Sequence, residues 1–477
     1  MQGPRLGTLA ERGLMNKINA GDPRFFGATD SETIQNAVDF AKAHDLGQVT
    51  IPRFNERTGR TVWDIEKAIL LPDDMTVIID DAHLRMADGV FDNIFRNERC
   101  YDDEGCTMEG EQHDIRIIGV GNALLDGGEL NGLTEQYIRD HPDEGLSMNV
   151  NLTVQFHNVR NFELRNLNFR NTRYWAVCFT YCRWGKLIDL DFRNYGTMEN
   201  QDGIDLRVGC EYFTIENITG ITGDDTIALT ALAGSYSAKR WAVKGKKPHI
   251  HDVSIRNVIS ASHGCSLLRF LCEDGSEIYN VTVDGLKDTG KAVSSATILF
   301  GQGNTHFVRE RARQMGDFRN IVIRNVSTSA QSGFAFREPC RDVLVENVHI
   351  TGKNENGIAF AENFVAENVT IRNVVIEPDP DYAPDAAFVF IDTPEENLKG
   401  LTIENVKVRN EKYIFRGRVF EVGNMEYEEP AEGYFAPERY LKRSAYGRYF
   451  HDFYGVEITN RPPDNRFDGT ITIEDEY

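Results

Sequence analysis

The phrases VSIRNV (253–258), VTVDGL (281–286), IVIRNV (321–326), VLVENV (343–348), VTIRNV (369–374) and LTIENV (401–406) decide the fold. Each has apolar residues at its first, third and sixth places and Asn or Gly at the fifth. FELRNL (162–167), LIDLDF (187–192) and FTIENI (213–218) extend the series toward the N-terminus. Alternation with β-branched enrichment marks a short strand with one buried face. Closely spaced copies recur about every 22 to 26 residues, and a strand-built repeat of that period is a solenoid.

A second strand phrase falls between copies of the first: WAVCF (175–179), GIDL (203–206), TIAL (226–229), CSLL (265–268), GFAF (333–336) and GIAF (357–360). Each turn therefore has at least two strands, each stacking on its own kind. This is the layout of an all-β, single-stranded, right-handed parallel β-helix. Turn residues such as Asn166, Asn217, Asn257 and Asn325 then fall one above another, where stacked amides bond along the axis and tolerate a bent backbone. A leucine-rich repeat has a similar period, but here Ile, Val and Phe fill the apolar slots and no helical stretch is expected between strands. Before the repeats, Ile34, Ala37, Val38 and Ala41 follow helical spacing after Thr29-Asp30-Ser31, which predicts a helix capping the first rung. The β-helix with its cap is expected over 1–410. Residues 411–477 lose the pattern and read as an irregular tail packed on the solenoid or on a partner chain.

The 477 residues carry 52 Lys+Arg against 74 Asp+Glu, a formal charge of −22, with 41% apolar and 26% charged residues. That balance suits a folded chain and argues against nucleic-acid partners, which need a basic footprint. No run approaches the roughly 18 apolar residues of a membrane span. MQGPRLGTLAERG at the start has no apolar signal core, so cytoplasmic placement is the expectation. The eight cysteines show no paired CxxC, and no metal or cofactor is expected; most read as buried thiols, with only Cys100 and Cys106 placed to pair.

Aligning the second strands brings carboxylates into register. DGIDL (202–206) and DTIAL (225–229) put Asp202 and Asp225 in one slot on adjacent turns, and GCSLL (264–268) puts His263 in the slot of Asp224. Adjacent rungs are about 4.8 Å apart, so the four should cluster on one outer wall, with Asp205 facing out from the same strand. Crowded carboxylates raise at least one pKa, which keeps an acid protonated beside ionised neighbours that activate water. That is the machinery of glycoside hydrolysis. A solvated acidic loop or a Ca²⁺ site is the plainer alternative for any single Asp.

The order NQDG, GDD, SHG on successive turns resembles glycoside hydrolase family 28, the polygalacturonase-like branch of the pectin-lyase-like β-helices. Asn171-Thr172-Arg173-Tyr174-Trp175 resembles the family segment before the first catalytic turn, and GATDSETIQNAVDFA with QVTIP resembles the opening of pectin-degrading β-helices. The likeness spans roughly residues 25 to 410. It implies an inverting hydrolase with Asp224 as general acid, Asp202 and Asp225 positioning and activating water, and His263 supporting the acid. The family's Arg-Ile-Lys clamp for the substrate carboxylate is missing: SATILF (295–300) offers Ile298 and Phe300 instead. Arg207, Arg269 and Arg337 lie at one shared offset past their second strands, and Arg269, six residues after His263, is the expected replacement at the edge of the same cleft. Trp175 and Asn200 complete the candidate substrate contacts. Basic insertions at 231–250 and 301–318 are expected to wall off one end of a groove and attract an anionic sugar. A pectin-like or other uronate- or deoxysugar-containing oligo- or polysaccharide is the expected substrate, and a homo-oligomer is compatible. A β-helix polysaccharide lyase and a non-catalytic carbohydrate-binding spike are the competing functions.

Overall fold

The computed structural model describes residues 18–128, 140, 141, 151–301 and 311–409, apart from 101, 195, 197–199, 235, 312, 353–355, 362, 379–386, 392, 394–396, 398 and 399. Beyond 409 it describes the strands Arg418–Glu421, Tyr427–Glu428, Tyr440–Leu441 and Thr472–Glu474. Most of the expected tail, residues 411–477, therefore lies outside the described residues. The chain forms two compact units, one running to Ala228 with Tyr236–His249 added, the other comprising Leu229–Ser235 and everything from Ile250. Both are built from coils of right-handed parallel β-helix.

In the first unit the helix Asp30–Ala43 forms as its sequence predicts. Thr29 caps it by accepting from Glu32 N, and Ile34, Ala37, Val38 and Ala41 are fully buried. The helix closes an open strand edge with its own polar groups. Asp30 accepts from Asp64 N, Ser31 Oγ from Glu66 N and Lys67 N, and Gln35 Oε1 from Leu70 N. Unpaired edge donors that would invite another chain are thereby satisfied.

Long parallel strands follow at Val159–Arg170, Arg183–Arg193 and Glu211–Ile221. Leu164, Leu187 and Ile215 share one slot, and Leu167, Leu190 and Ile218 another. The LIDLDF copy is thus two residues out of the register its spelling suggests: Gly185, not Leu187, aligns with Phe162 and Phe213. The reason is steric. A Cβ at Gly185 would sit 2.5 Å from the Phe162 ring and 2.7 Å from that of Phe213, whose edge-on contact fills the slot. Shorter strands stack beside them, with Val154, Val177 and Ile204 in register.

In the second unit Val253, Val281, Ile321, Val343, Val369 and Leu401 form one continuous ladder, as the repeat phrases require. The short strands Ser266–Glu273, Ala296–Phe300, Ser332–Phe336 and Asn356–Phe360 stack likewise, and rings of Phe270, Phe300, Phe336 and Phe360 pile at 4.5, 4.8 and 5.3 Å.

An amide ladder runs through Asn325, Asn347 and Asn373 in the second unit, whereas in the first Asn166 donates to Gly119 O. Asn166 and Asn217, and separately Asn257, Asn325, Asn347 and Asn373, all have left-handed backbones, which Asn tolerates better than other side chains with a Cβ. Asn217 donates to Asp189, Asn347 to Asn325, and Asn373 to Asn347. Two expectations are corrected. Cys100 and Cys106 are free thiols, Cys100 buried so that its pKa rises far above the ordinary value. The first insertion also contains a short helix, Tyr236–Arg240, with Ala238 and Val243 packed against Tyr181 and Val208.

Candidate active site

The acids of the first unit are held by backbone register. Gly203 N donates to Asp225 O and Ile204 N to Thr226 O, the parallel pattern that sets Asp202 directly beside Asp225. Ala176 N donates to Asp202 O, so Trp175 occupies the same slot one rung earlier. Asp224 joins them through the tight turn at 222–226. Its Oδ1 accepts from Asp225 N at 2.9 Å, and a carboxylate oxygen of each lies within 4.8 Å of the other. Asp202 and Asp225 are buried and Asp224 half-buried.

The corner that carries these acids is built from buried polar side chains. Thr172 N donates to Asn194 Oδ1, Gln201 Nε2 donates to Thr172 O, and Gln201 O receives Gly223 N and Asp224 N. Thr222 Oγ1 donates to Asp224 O and meets Thr226 Oγ1 at 3.0 Å. Thr172, Asn194, Gln201, Thr222 and Thr226 are all fully buried, so each bond forms where an unpaired group would be penalised. Arg173, 1% exposed, points backward and donates to the carbonyl oxygens of Gly127, Ala87, Met86 and Val90. Sequence reasoning had no role for Gln201, Asn194, Thr222 or Arg173. Gln201 sits inside the quoted NQDG, but only the fold shows that it clamps two turns.

Arg207 and the aromatics form one assembly. The Trp175 indole stacks on Tyr174 at 4.7 Å, and the Arg207 guanidinium carbon lies 4.7 Å from the indole ring. Both aromatics are under a tenth exposed, so they support Arg207 and are not an open sugar platform. Asp205 does leave its strand on the face opposite Ile204 and Leu206, as alternation requires, yet it is 1% exposed and aligned with Cys178. Burial lifts the Cys178 thiol pKa well above its usual value, the Asp205 carboxylate adds to the rise, and Arg207 opposes it. Asn200 is half-buried in the turn leading into Gln201 and Asp202.

The second unit holds the remaining candidates. His263 is exposed in a turn where Cys265 N donates to Ser262 Oγ, Ser262 N to Ser294 Oγ, and Gly264 takes φ +85°. Arg269 is half-buried, with Nη1 3.5 Å from Cys265 Sγ, so it borders the His263 turn. The three arginines do not share one offset. Arg207 and Arg337 follow the last residue of their strands, whereas Arg269 lies within its strand, aligned with Leu299 and Ala335. Arg337 is exposed.

The outward slot of SATILF is not the one its spelling suggests. Ile298 and Phe300 are fully buried in the core; Leu299 between them faces outward and clusters with Ala296 and Ala335. Alternation from the buried Phe settles this, and that slot still carries no cation. The basic insertions are likewise engaged. Lys246 Nζ bonds Glu111 and Tyr181 O in the first unit. In the second, Arg311 pairs with Asp317, and Arg313, 2% exposed, lies between Glu338 and Glu273. These cations fasten loops; residues 302–310 lie outside the described residues.

Residues 103–246 match the family model described as glycosyl hydrolases family 28, a span that includes all three acids. A probable polygalacturonase of Arabidopsis thaliana is 26% identical over 273 residues, 53% of this chain and 56% of that protein, so the chain spans about half the length of this curated relative. Among solved structures, a family 28 exopolygalacturonase of Yersinia enterocolitica aligns with TM-score 0.52 at 13% identity, over 85% of this chain and 76% of that one. The A-module of a mannuronan C-5 epimerase of Azotobacter vinelandii aligns with TM-score 0.55 at 12% identity, over 85% and 96%. At such identities the two structures speak for the fold. Over the turns that carry NQDG and GDD, the chain is thus similar to the glycosyl hydrolases of family 28 and to a probable plant polygalacturonase.

Proposed function

We propose that the protein is an inverting glycoside hydrolase acting on a pectin-like, uronate-containing oligo- or polysaccharide. The observation that carries the hydrolase reading is the acid group of the first unit: Asp202 in register with Asp225, and Asp224 with a carboxylate oxygen within 4.8 Å of Asp225. That contact is shorter than the roughly 6.5–9.5 Å usual for an inverting pair, so inversion is taken from the family resemblance and not from the spacing. Hydrolysis of a glycosidic bond uses one carboxyl to give a proton and another to take one, and this group supplies carboxyls for both roles. In the proposed reaction the Asp224 carboxyl gives its proton to the glycosidic oxygen as the C1–O bond breaks. Water attacks C1 from the opposite face, and its proton passes to the Asp202/Asp225 pair. The anomeric configuration inverts.

His263 takes its role, keeping the acid protonated, from the motif order. Arg207 is the favoured contact for a uronate carboxylate, because the Trp175 ring beneath it fixes the plane of its donors. Arg269 and Arg337 are second candidates, and Asn200 a hydroxyl contact.

The test is a time course on defined pectic and neutral oligosaccharides, with the first-formed anomer read by NMR. Inverted product is expected, and Asp224→Asn should lower kcat by about 10²- to 10⁴-fold without shifting the unfolding midpoint. A retained anomer would overturn inversion. An unsaturated, ultraviolet-absorbing product lost on chelation would mark a lyase. Sugar binding with no bond cleaved would mark a binding protein.

A further inference from the structure

Two large aromatic side chains occupy turn positions that the coil elsewhere gives to small polar residues. In the first unit Asn161, Trp184 and Tyr212 follow the aligned residues Arg160, Arg183 and Glu211, and all three are left-handed, with φ of 52°, 55° and 61°. In the second unit the same place in the repeat holds Asp252, Asn280, Asn320, Asp342 and Asn368, again left-handed, with Asn280, Asn320 and Asn368 donating along the row. Bulky side chains are disfavoured in that backbone region, and a departure of this kind points to function.

The two rings lie on adjacent rungs, centroids 5.9 Å apart and planes 21° apart, and each residue is 45% exposed. The Arg183 guanidinium carbon lies 4.6 Å from the Trp184 ring. Behind it Arg183, Lys246 and Arg160 converge on Glu111, at 2.6, 2.6 and 3.5 Å. With Glu211 aligned beside Arg183, three cations face two carboxylates, a local positive balance on a chain of net charge −22. The strand Val177–Thr180 separates this place from Trp175 and the acids.

We propose that Trp184 and Tyr212 form a surface platform that holds an acidic polysaccharide chain, apart from the residues that cleave it. The C–H face of a pyranose ring is apolar and weakly positive, which suits the electron-rich face of indole or phenol. Arg183, whose Nε and Nη2 donate to Glu111, turns its remaining Nη1 toward a uronate carboxylate. The platform keeps the protein on polymeric substrate between cleavages and does nothing for short oligomers. This inference rests on the hydrolase reading above.

The test is affinity electrophoresis in gels cast with polygalacturonate or with neutral dextran, comparing wild type, Tyr212→Asn and Trp184→Asn/Tyr212→Asn. Wild type should be retarded by polygalacturonate alone, and the double variant should bind roughly tenfold more weakly. Its thermal midpoint should not fall, because Asn suits both backbones, and kcat/KM on short oligosaccharides should be unchanged. Equal retardation of wild type and double variant would overturn the platform, as would an equal loss of activity on polymer and short oligomers. Tyr212→Asn alone leaves the Trp184–Arg183 contact in place and should give a partial loss, which guards against misfolding of the double variant. If retardation is lost as expected but no pectic bond is cleaved by wild type, the hydrolase reading falls and the platform stands. If cleavage proceeds but retardation never changes, the platform alone falls.

Discussion

The two units use one coil in two ways. In the second, the long strands keep unbroken register through Val253, Val281, Ile321, Val343, Val369 and Leu401, and the turns carry amide ladders. In the first, the repeat is broken repeatedly: Gly185 where a Phe would stand, Trp184 and Tyr212 where Asn would, and Asp202 and Asp225 in the slot that Trp175 fills one rung earlier. The regular stretch satisfies its own backbone locally. The irregular one relies on buried long-range bonds, from Gln201 to Thr172 and from Arg173 to the 86–90 segment. Departures from a repeat are therefore where function should be sought, and they should also be where stability is most concentrated in single side chains.

That contrast can be broken by mutation. The largest effect is expected at Arg173, whose loss leaves several buried carbonyls without a donor. Arg173→Met should destabilise by about 3–5 kcal/mol in denaturant unfolding. A change below about 1 kcal/mol would show that the corner does not depend on it.

Next is acid sensitivity at His157. Burial and the nearby Lys246 charge push its pKa down to about 4, while Nδ1 meets Thr180 Oγ1 at 2.7 Å. The folded pKa lies below the unfolded one, so between about pH 6.5 and 4 the unfolded chain binds the extra proton, and stability falls as pH is lowered through that window. A loss of roughly 3 kcal/mol by pH 4 follows from such a shift. His157→Gln should flatten that part of the curve, and an unchanged slope would remove His157 as its source.

The smallest effect belongs to the regular unit. Asn347 donates to Asn325 and accepts from Asn373 in a left-handed turn. Asn347→Ala should destabilise by about 1–2 kcal/mol, and Asn347→Gly by less, because Gly keeps the backbone and loses only the ladder. Equal losses would show that the amide bonds, not the backbone, carry the term.

Much of this was legible in the sequence because a repeat converts spacing into contact. Alternation gave the strands, period gave the coil, and aligning GIDL with TIAL gave the pairing of Asp202 with Asp225. Spelling alone misled where sterics intervened. LIDLDF slid by two because Phe162 and Phe213 meet over Gly185, and Ile298 and Phe300 turned inward because the strand phase is set by its core residues. Shared offsets failed for Arg269 because CSLL stands two residues out of phase with GFAF, Leu268 aligning through Ile298 with Phe334. The supports of the site, Gln201, Asn194 and Arg173, bond across 22 to 87 residues, and no local pattern announces partners that far away.

The central claim is that the acids aligned by register act as one catalytic unit, and a double-mutant cycle on Asp202→Asn and Asp225→Asn tests it most directly. Groups that together activate a single water are strongly non-additive. The account predicts that each single variant loses most of kcat on a pectic oligosaccharide and that the double variant is little worse than either. Losses that simply multiply would mean that the two carboxylates act independently, and would contradict the account.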